Sequence, residues 1–184
     1  MEAMLTYVIL LRGVMPTGKN RVPMAELRVA LMDAGLVDVR TYIQSGNVIA
    51  ASHLDHAAVS QLVHDTIEQK IGANITVITR TAEQLMQVLA GNPFSDADSS
   101  RLYFSLLSSP PAPKLLQEFL EINFAPDEVR VIDDTIYTRY ATKLSDSKFT
   151  NNFFEKKLKV AATTRNFNTM TRLVELCVPL RTQI

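Results

Sequence analysis

The order of apolar periodicities in this 184-residue chain predicts an α+β fold with two ferredoxin-like halves. Each half reads β-α-β-β-α-β with an antiparallel sheet, and a C-terminal helix follows. Three observations predict it. Short, partly β-branched apolar runs alternate with segments whose apolar residues recur every three or four positions. Tight-turn residues at Gln44-Ser45-Gly46-Asn47 and Asp133-Asp134 split two pairs of runs into hairpins. The same order of elements then returns after a polar stretch, Asp96 to Arg101, which is the expected boundary. Residues 1–95 are expected to form a first subdomain with a basic loop, and 96–184 a second with a polar Thr-Thr-Arg-Asn segment and the last helix. No residue-level repeat is visible between the halves.

The elements of the first half follow from local signals. Leu5 to Leu11 is short, apolar and bounded by turn residues, as a buried strand is. Pro23 suits the first helical position, and Met24, Leu27, Leu31 and Ala34 share a helical face that Gly35 ends. Val39 to Ile43 and Val48 to Ala51 are two strands of a hairpin. Asp55 caps a second helix with the stripe Val59, Leu62, Val63, Ile67 and Ile71, which Gly72 closes. Ile75 to Thr79 is the fourth strand. Thr81 and Gln84 have the spacing of a capping box for a helix through Leu89.

In the second half, Leu102 to Leu107 reads as a strand, followed by a proline-rich link and a helix from Lys114 to Ile122. A hairpin runs from Glu128 to Tyr140. A helix is expected from Asn151 to Leu158, a very short strand at Val160 to Ala162, and a last helix from Asn168 to Cys177 that Pro179 stops.

Composition excludes several function classes. Lysine plus arginine and aspartate plus glutamate number 19 each, so there is no basic excess of the kind a dedicated duplex-DNA binder shows. Cys177 is the single cysteine, which leaves no intramolecular disulfide and no multi-cysteine metal site. The N-terminal apolar run is too short for a membrane span and is ended by Arg12, so a cytoplasmic protein without membrane attachment is expected.

Three polar stretches are candidates for chemistry. The first is the loop from Leu11 to Pro23, in which Gly13 and Gly18 accompany Arg12, Lys19, Asn20 and Arg21. Glycines let backbone approach a ligand, and the cations supply donors for an anion at a helix start. It is neither a Walker loop nor a dinucleotide fingerprint. The second is Thr163-Thr164-Arg165-Asn166-Phe167-Asn168-Thr169, which is expected to open the last helix, as a polar linker, a cap or an anion site. The third is the turn at Ser45, Gly46 and Asn47, whose hydroxyl and amide either shape the hairpin or face a ligand. Ser45 has no histidine beside it in sequence to act as a base. His56 with Ser60, and His64 with Glu68, sit one helical turn apart, the spacing of a solvated face; no metal centre is expected. Ser145-Asp146-Ser147-Lys148 has the S-x-x-K spacing without its companion motifs.

Together, Leu10-Leu11-Arg12-Gly13, Gly18-Lys19-Asn20, Met24, Leu27, Thr41 to Val48 and Thr163 to Thr169 strongly resemble the domain-of-unknown-function family 1697. The resemblance implies a two-part α+β bacterial protein, mostly cytoplasmic in that family, and supplies no catalytic residue. The positions it carries over are Arg12, Gly13, Gly18, Lys19, Asn20, Ser45, Gly46, Asn47, Thr164, Arg165, Asn166 and Thr169. Two departures stand out. The family commonly has a glycine pair before the lysine, where this chain has Thr17-Gly18, and often a tryptophan at the position of Phe167.

The function expected from these readings is binding of a small anionic, phosphorylated ligand by the basic loop between the two halves, without a cofactor. About three charge-assisted hydrogen bonds at ~1.5–3 kcal/mol each give about millimolar to micromolar affinity before ordering costs. The ligand therefore needs a further group to contact. The alternatives are a nucleic-acid module, with Tyr103, Phe104, Tyr137 and Tyr140 as a stacking face, and a protein–protein adaptor. Neither a reaction nor an oligomeric state is assigned by the sequence.

Overall fold

A computed structural model describes residues 3–94 and 98–177. Pro179 and the residues 95–97 lie outside them. Within this range the chain forms two four-stranded antiparallel sheets with six helices, in two similar halves. It makes two compact units, one running through Gln87 and taking up the chain again at Arg172, the other Val88–Thr171.

In the first unit, β1 (Leu5–Leu11), α1 (Met24–Asp33), β2 (Val37–Tyr42), β3 (Asn47–Ser52), α2 (His56–Ile71) and β4 (Val77–Thr81) give the strand order β2-β3-β1-β4. That is the ferredoxin-like order, with the two strands of the hairpin separated from β4 by β1. Tyr7, Ile9 and Leu11 alternate onto one face and join Val48 and Ala50 beneath Leu27 and Leu31 of α1 and Val59, Val63 and Ile67 of α2. Asp55 caps α2 through the Ala58 amide at 2.8 Å, and Gly72 ends it with a left-handed φ of 80°. Pro23 is the residue before α1 and keeps an extended ψ of 119°, one place earlier than its expected first helical position. The capping box is reciprocal: the Thr81 amide donates to Gln84 Oε1 at 2.9 Å and the Gln84 amide to Thr81 Oγ1 at 3.2 Å, opening α3 (Ala82–Ala90).

The second unit repeats the plan with β5 (Leu102–Leu107), α4 (Pro113–Leu120), β6 (Glu128–Ile132), β7 (Thr135–Arg139), α5 (Asn151–Leu158) and β8 (Ala162–Asn166), in the order β6-β7-β5-β8. Leu107, Phe119, Ile136, Phe154 and Leu158 form its core. The last strand corrects the expectation from sequence. It covers Ala162–Asn166, not Val160 to Ala162, so Thr163 to Asn166 are strand residues and α6 (Phe167–Cys177) begins directly after them.

The registers reveal a repeat that identity conceals. Tyr7 faces Thr81 and Tyr103 faces Asn166; Val8 faces Arg80 and Phe104 faces Arg165; Ile9 faces Thr79 and Ser105 faces Thr164. At the other strand end, the Leu11 amide donates to Gly46 O and the Leu107 amide to Asp134 O, both at 2.9 Å. Thr79 and Thr164 are equivalent, and each meets the first residue of the preceding helix: His56 Nδ1 lies 3.1 Å from Thr79 Oγ1, and Thr164 Oγ1 donates to Asn151 Oδ1 at 3.0 Å.

Candidate functional site

Given that repeat, the two units differ where their strands are connected. The second unit crosses from β5 to α4 in five residues, 108–112, whereas the first takes twelve, 12–23, from β1 to α1. The second closes its hairpin with Asp133 and Asp134; the first uses four residues, 43–46. Both longer connections leave the same end of the first sheet. They are the basic loop and the Ser-Gly-Asn turn.

The structure joins them. Leu11 N donates to Gly46 O, and Gln44 Nε2 donates to Val22 O at 3.0 Å. Gly46 sits so close that an added Cβ would lie 2.8 Å from Leu11 Cβ and 2.8 Å from Val14 Cγ2. Only glycine fits, on space and on its φ of 87°. The loop is also closed on itself. Met15 N donates to Asn20 O at 2.9 Å, Arg21 N to Gly18 O at 3.2 Å, and Asn20 Nδ2 to Gly13 O at 3.2 Å. Gly13 and Gly18 take φ values of 70° and 81°, which this closure requires. Thr17-Gly18 thus makes the turn with a single glycine.

The sequence-selected residues fall into two classes. Lys19 and Arg21 are exposed and, among the described residues, have no ion-pair partner; Arg12 is half-buried at the loop's base. Asn20 and Gly46 build the loop. Asn47 is fully buried, and its amide donates to Tyr42 O and to Ser45 Oγ, both at 3.0 Å. It therefore shapes the turn, while the Ser45 residue is exposed.

The polar segment of the second unit has different work. Thr164 Oγ1 lies 2.7 Å from Ser105 Oγ as well as bonding Asn151. Arg165 is 8% exposed, and its Nη1 donates to Thr163 Oγ1 at 2.8 Å and to Thr164 O at 2.9 Å; burial pushes its pKa down to about 10. Asn166 Oδ1 accepts from the Thr169 amide at 2.8 Å and so caps α6. Because strand side chains alternate, Thr164 and Arg165 stand on opposite faces of the sheet. Phe104, Tyr137 and Tyr140 are buried, with Tyr140 Oη donating to Phe149 O and Tyr137 Oη to Val88 O, so these three offer no open ring for a base. His64, Asp65 and Glu68 hold one ligand atom each within 4.8 Å of one another on α2, and His64 Nδ1 donates to Ile75 O at 2.8 Å.

Sequence reasoning named both the loop and the turn as candidate site residues, but it passed over Met15 and Ile43. Ile43 has a φ of 50°, in the left-handed region that β-branched residues avoid. No local signal marks that angle.

Residues 4–137 match the model of a family described as a protein of unknown function (DUF1697). The solved structure of the conserved bacterial protein SP0830 from Streptococcus pneumoniae is similar to this one, with a TM-score of 0.76 at 22% sequence identity. The match covers 96% of this chain and 100% of that one. At such identity it establishes the fold and carries no statement about activity. No curated protein matches the chain.

Proposed function

The chain belongs to the DUF1697 family, whose members have no assigned activity, and from that premise we propose that it binds a small anionic, phosphorylated ligand at the β1–α1 loop of its first unit. One observation carries the reading: the second unit completes the same β-α-β-β-α-β plan with a five-residue link, so the fold does not require the twelve-residue basic loop. A longer connection adds loop-closure cost and brings little core of its own, only Val22 and the partly buried Val14. Here it is closed by three internal hydrogen bonds and seated on the hairpin turn, with Lys19 and Arg21 left exposed. Holding cations in place before the ligand arrives lowers the ordering cost of binding.

Thr164, Arg165, Asn166 and Thr169 are left out of the proposed site. Their side chains or amides already bond within the second unit: Thr164 to Ser105 and Asn151, Arg165 to Thr163 and Thr164, and Asn166 to the Thr169 amide. The nucleic-acid reading loses three of its four stacking rings to burial and keeps only the half-buried Tyr103, and the balanced charge offers no general attraction for a polyanion. Among the described residues, no helix is long and apolar enough to cross a membrane.

Calorimetric titration with pyrophosphate tests the reading. Binding in the micromolar to millimolar range is expected, and Lys19→Ala and Arg21→Ala each weaken it by about 1.5–3 kcal/mol. Binding that survives the double substitution unchanged, or no binding at all, contradicts it.

A further inference from the structure

The same site carries a second feature, apolar where the first is charged. Met15, in the basic loop, is 53% exposed, and Ile43, in the hairpin turn, is 50% exposed. Each is held outward by a fixed backbone. Met15 is bridged to Arg21, and Ile43 keeps its left-handed φ beside Gln44, whose amide is fixed to Val22 O. Arg21 and Val22 are consecutive, so the backbone that carries Met15 and the turn that carries Ile43 are both tied to the segment that presents Arg21. The corresponding connections of the second unit, Ser-Ser-Pro-Pro-Ala and Asp-Asp, contain no large apolar residue.

A β-branched residue in the left-handed region costs stability, and glycine or asparagine would remove the cost. Nothing in the turn's hydrogen bonding needs an isoleucine side chain, since the bonds come from Leu11 N, Gln44 and Asn47. The charged pair alone accounts for weak binding of a bare anion. Apolar contact with a ligand body supplies the missing affinity, at about tenfold for each 50–60 Å² removed from water.

Resting on the proposed function above, we infer that the ligand class is an amphipathic anion: a phosphate-like group for Lys19 and Arg21 joined to an apolar or aromatic body that lies on Met15 and Ile43. The test compares the full chain's affinity for inorganic phosphate and for 1-naphthyl phosphate. Naphthyl phosphate is expected to bind at least about tenfold tighter. Met15→Ser and Ile43→Gly each reduce that ratio several-fold and leave phosphate affinity unchanged, while Ile43→Gly does not lower the melting temperature. Equal affinity for the two probes, or a ratio that both variants leave intact, overturns the inference while the anion site stands. Failure of both anions to bind overturns the anion site and the inference with it. A single-stranded RNA oligonucleotide binding more tightly than naphthyl phosphate overturns the small-molecule class.

Discussion

A methyl group at Gly46 would press on Leu11 and Val14 at 2.8 Å, while the same group at Gly18 would meet nothing within 4 Å. Both glycines have positive φ, so the difference between them isolates packing from backbone strain. Gly18→Ala is expected to cost about 1 kcal/mol, the price of a left-handed alanine. Gly46→Ala adds a clash with core and loop atoms and is expected to cost about 2–4 kcal/mol in total. Urea denaturation of the two variants checks this, and equal losses would show that the turn is not seated on the loop. Arg165 is a contrary example at this scale. Its type suggests an anion contact, but its burial and its bonds to Thr163 and Thr164 show a strand residue engaged with its own neighbourhood.

At the scale of elements, the entry of α2 is expected to be pH-sensitive. His56 lies against Tyr7 with ring centroids 5.1 Å apart and meets Thr79 Oγ1. Partial burial and then the nearby Arg80 guanidinium hold its pKa below the ordinary value, with Asp55 opposing. The folded pKa is thus below the unfolded one near 6.5, so on acidification the unfolded chain takes up the proton first. Stability is present above about pH 6.5 and falls as the pH drops through that value towards the folded pKa. Asn151 occupies the equivalent place in the second unit, so His56→Asn is expected to keep the fold and flatten that pH dependence. Chemical denaturation at pH 7.5, 6.0 and 5.0 measures it; an unchanged slope contradicts the assignment.

Elements with strong local signals were legible in the sequence. The capping box at Thr81, the Asp55 cap and the Asp133-Asp134 hairpin fall where periodicity and turn chemistry put them. β8 was not, because Thr163, Thr164, Arg165 and Asn166 are polar, and the inner-facing Thr164 is satisfied by Ser105 and Asn151, residues far away in sequence. The repeat stayed hidden for the same reason. Val8 and Phe104, Ile9 and Ser105, or His56 and Asn151 are equivalent by register and unlike in chemistry. For the site, composition picked out Arg12, Lys19 and Arg21, but the seat of the loop on Gly46 is a long-range contact with no sequence signature.

For the molecule as a whole, 19 basic and 19 acidic residues leave no net charge, so affinity for an anion has to arise from their local arrangement. The two units provide an internal control for where it arises, since one plan appears with a long basic connection and with a short proline-rich one. The central claim is that the long connection is a binding loop. The most direct measurement is an amide chemical-shift titration of the full chain with pyrophosphate. Saturable shifts are expected at Gly13, Gly18, Lys19, Asn20 and Arg21, with none at Ser108, Ser109 and Ala112. Shifts that fail to saturate, or that are as large in the second unit's connection as in the first, would contradict the claim.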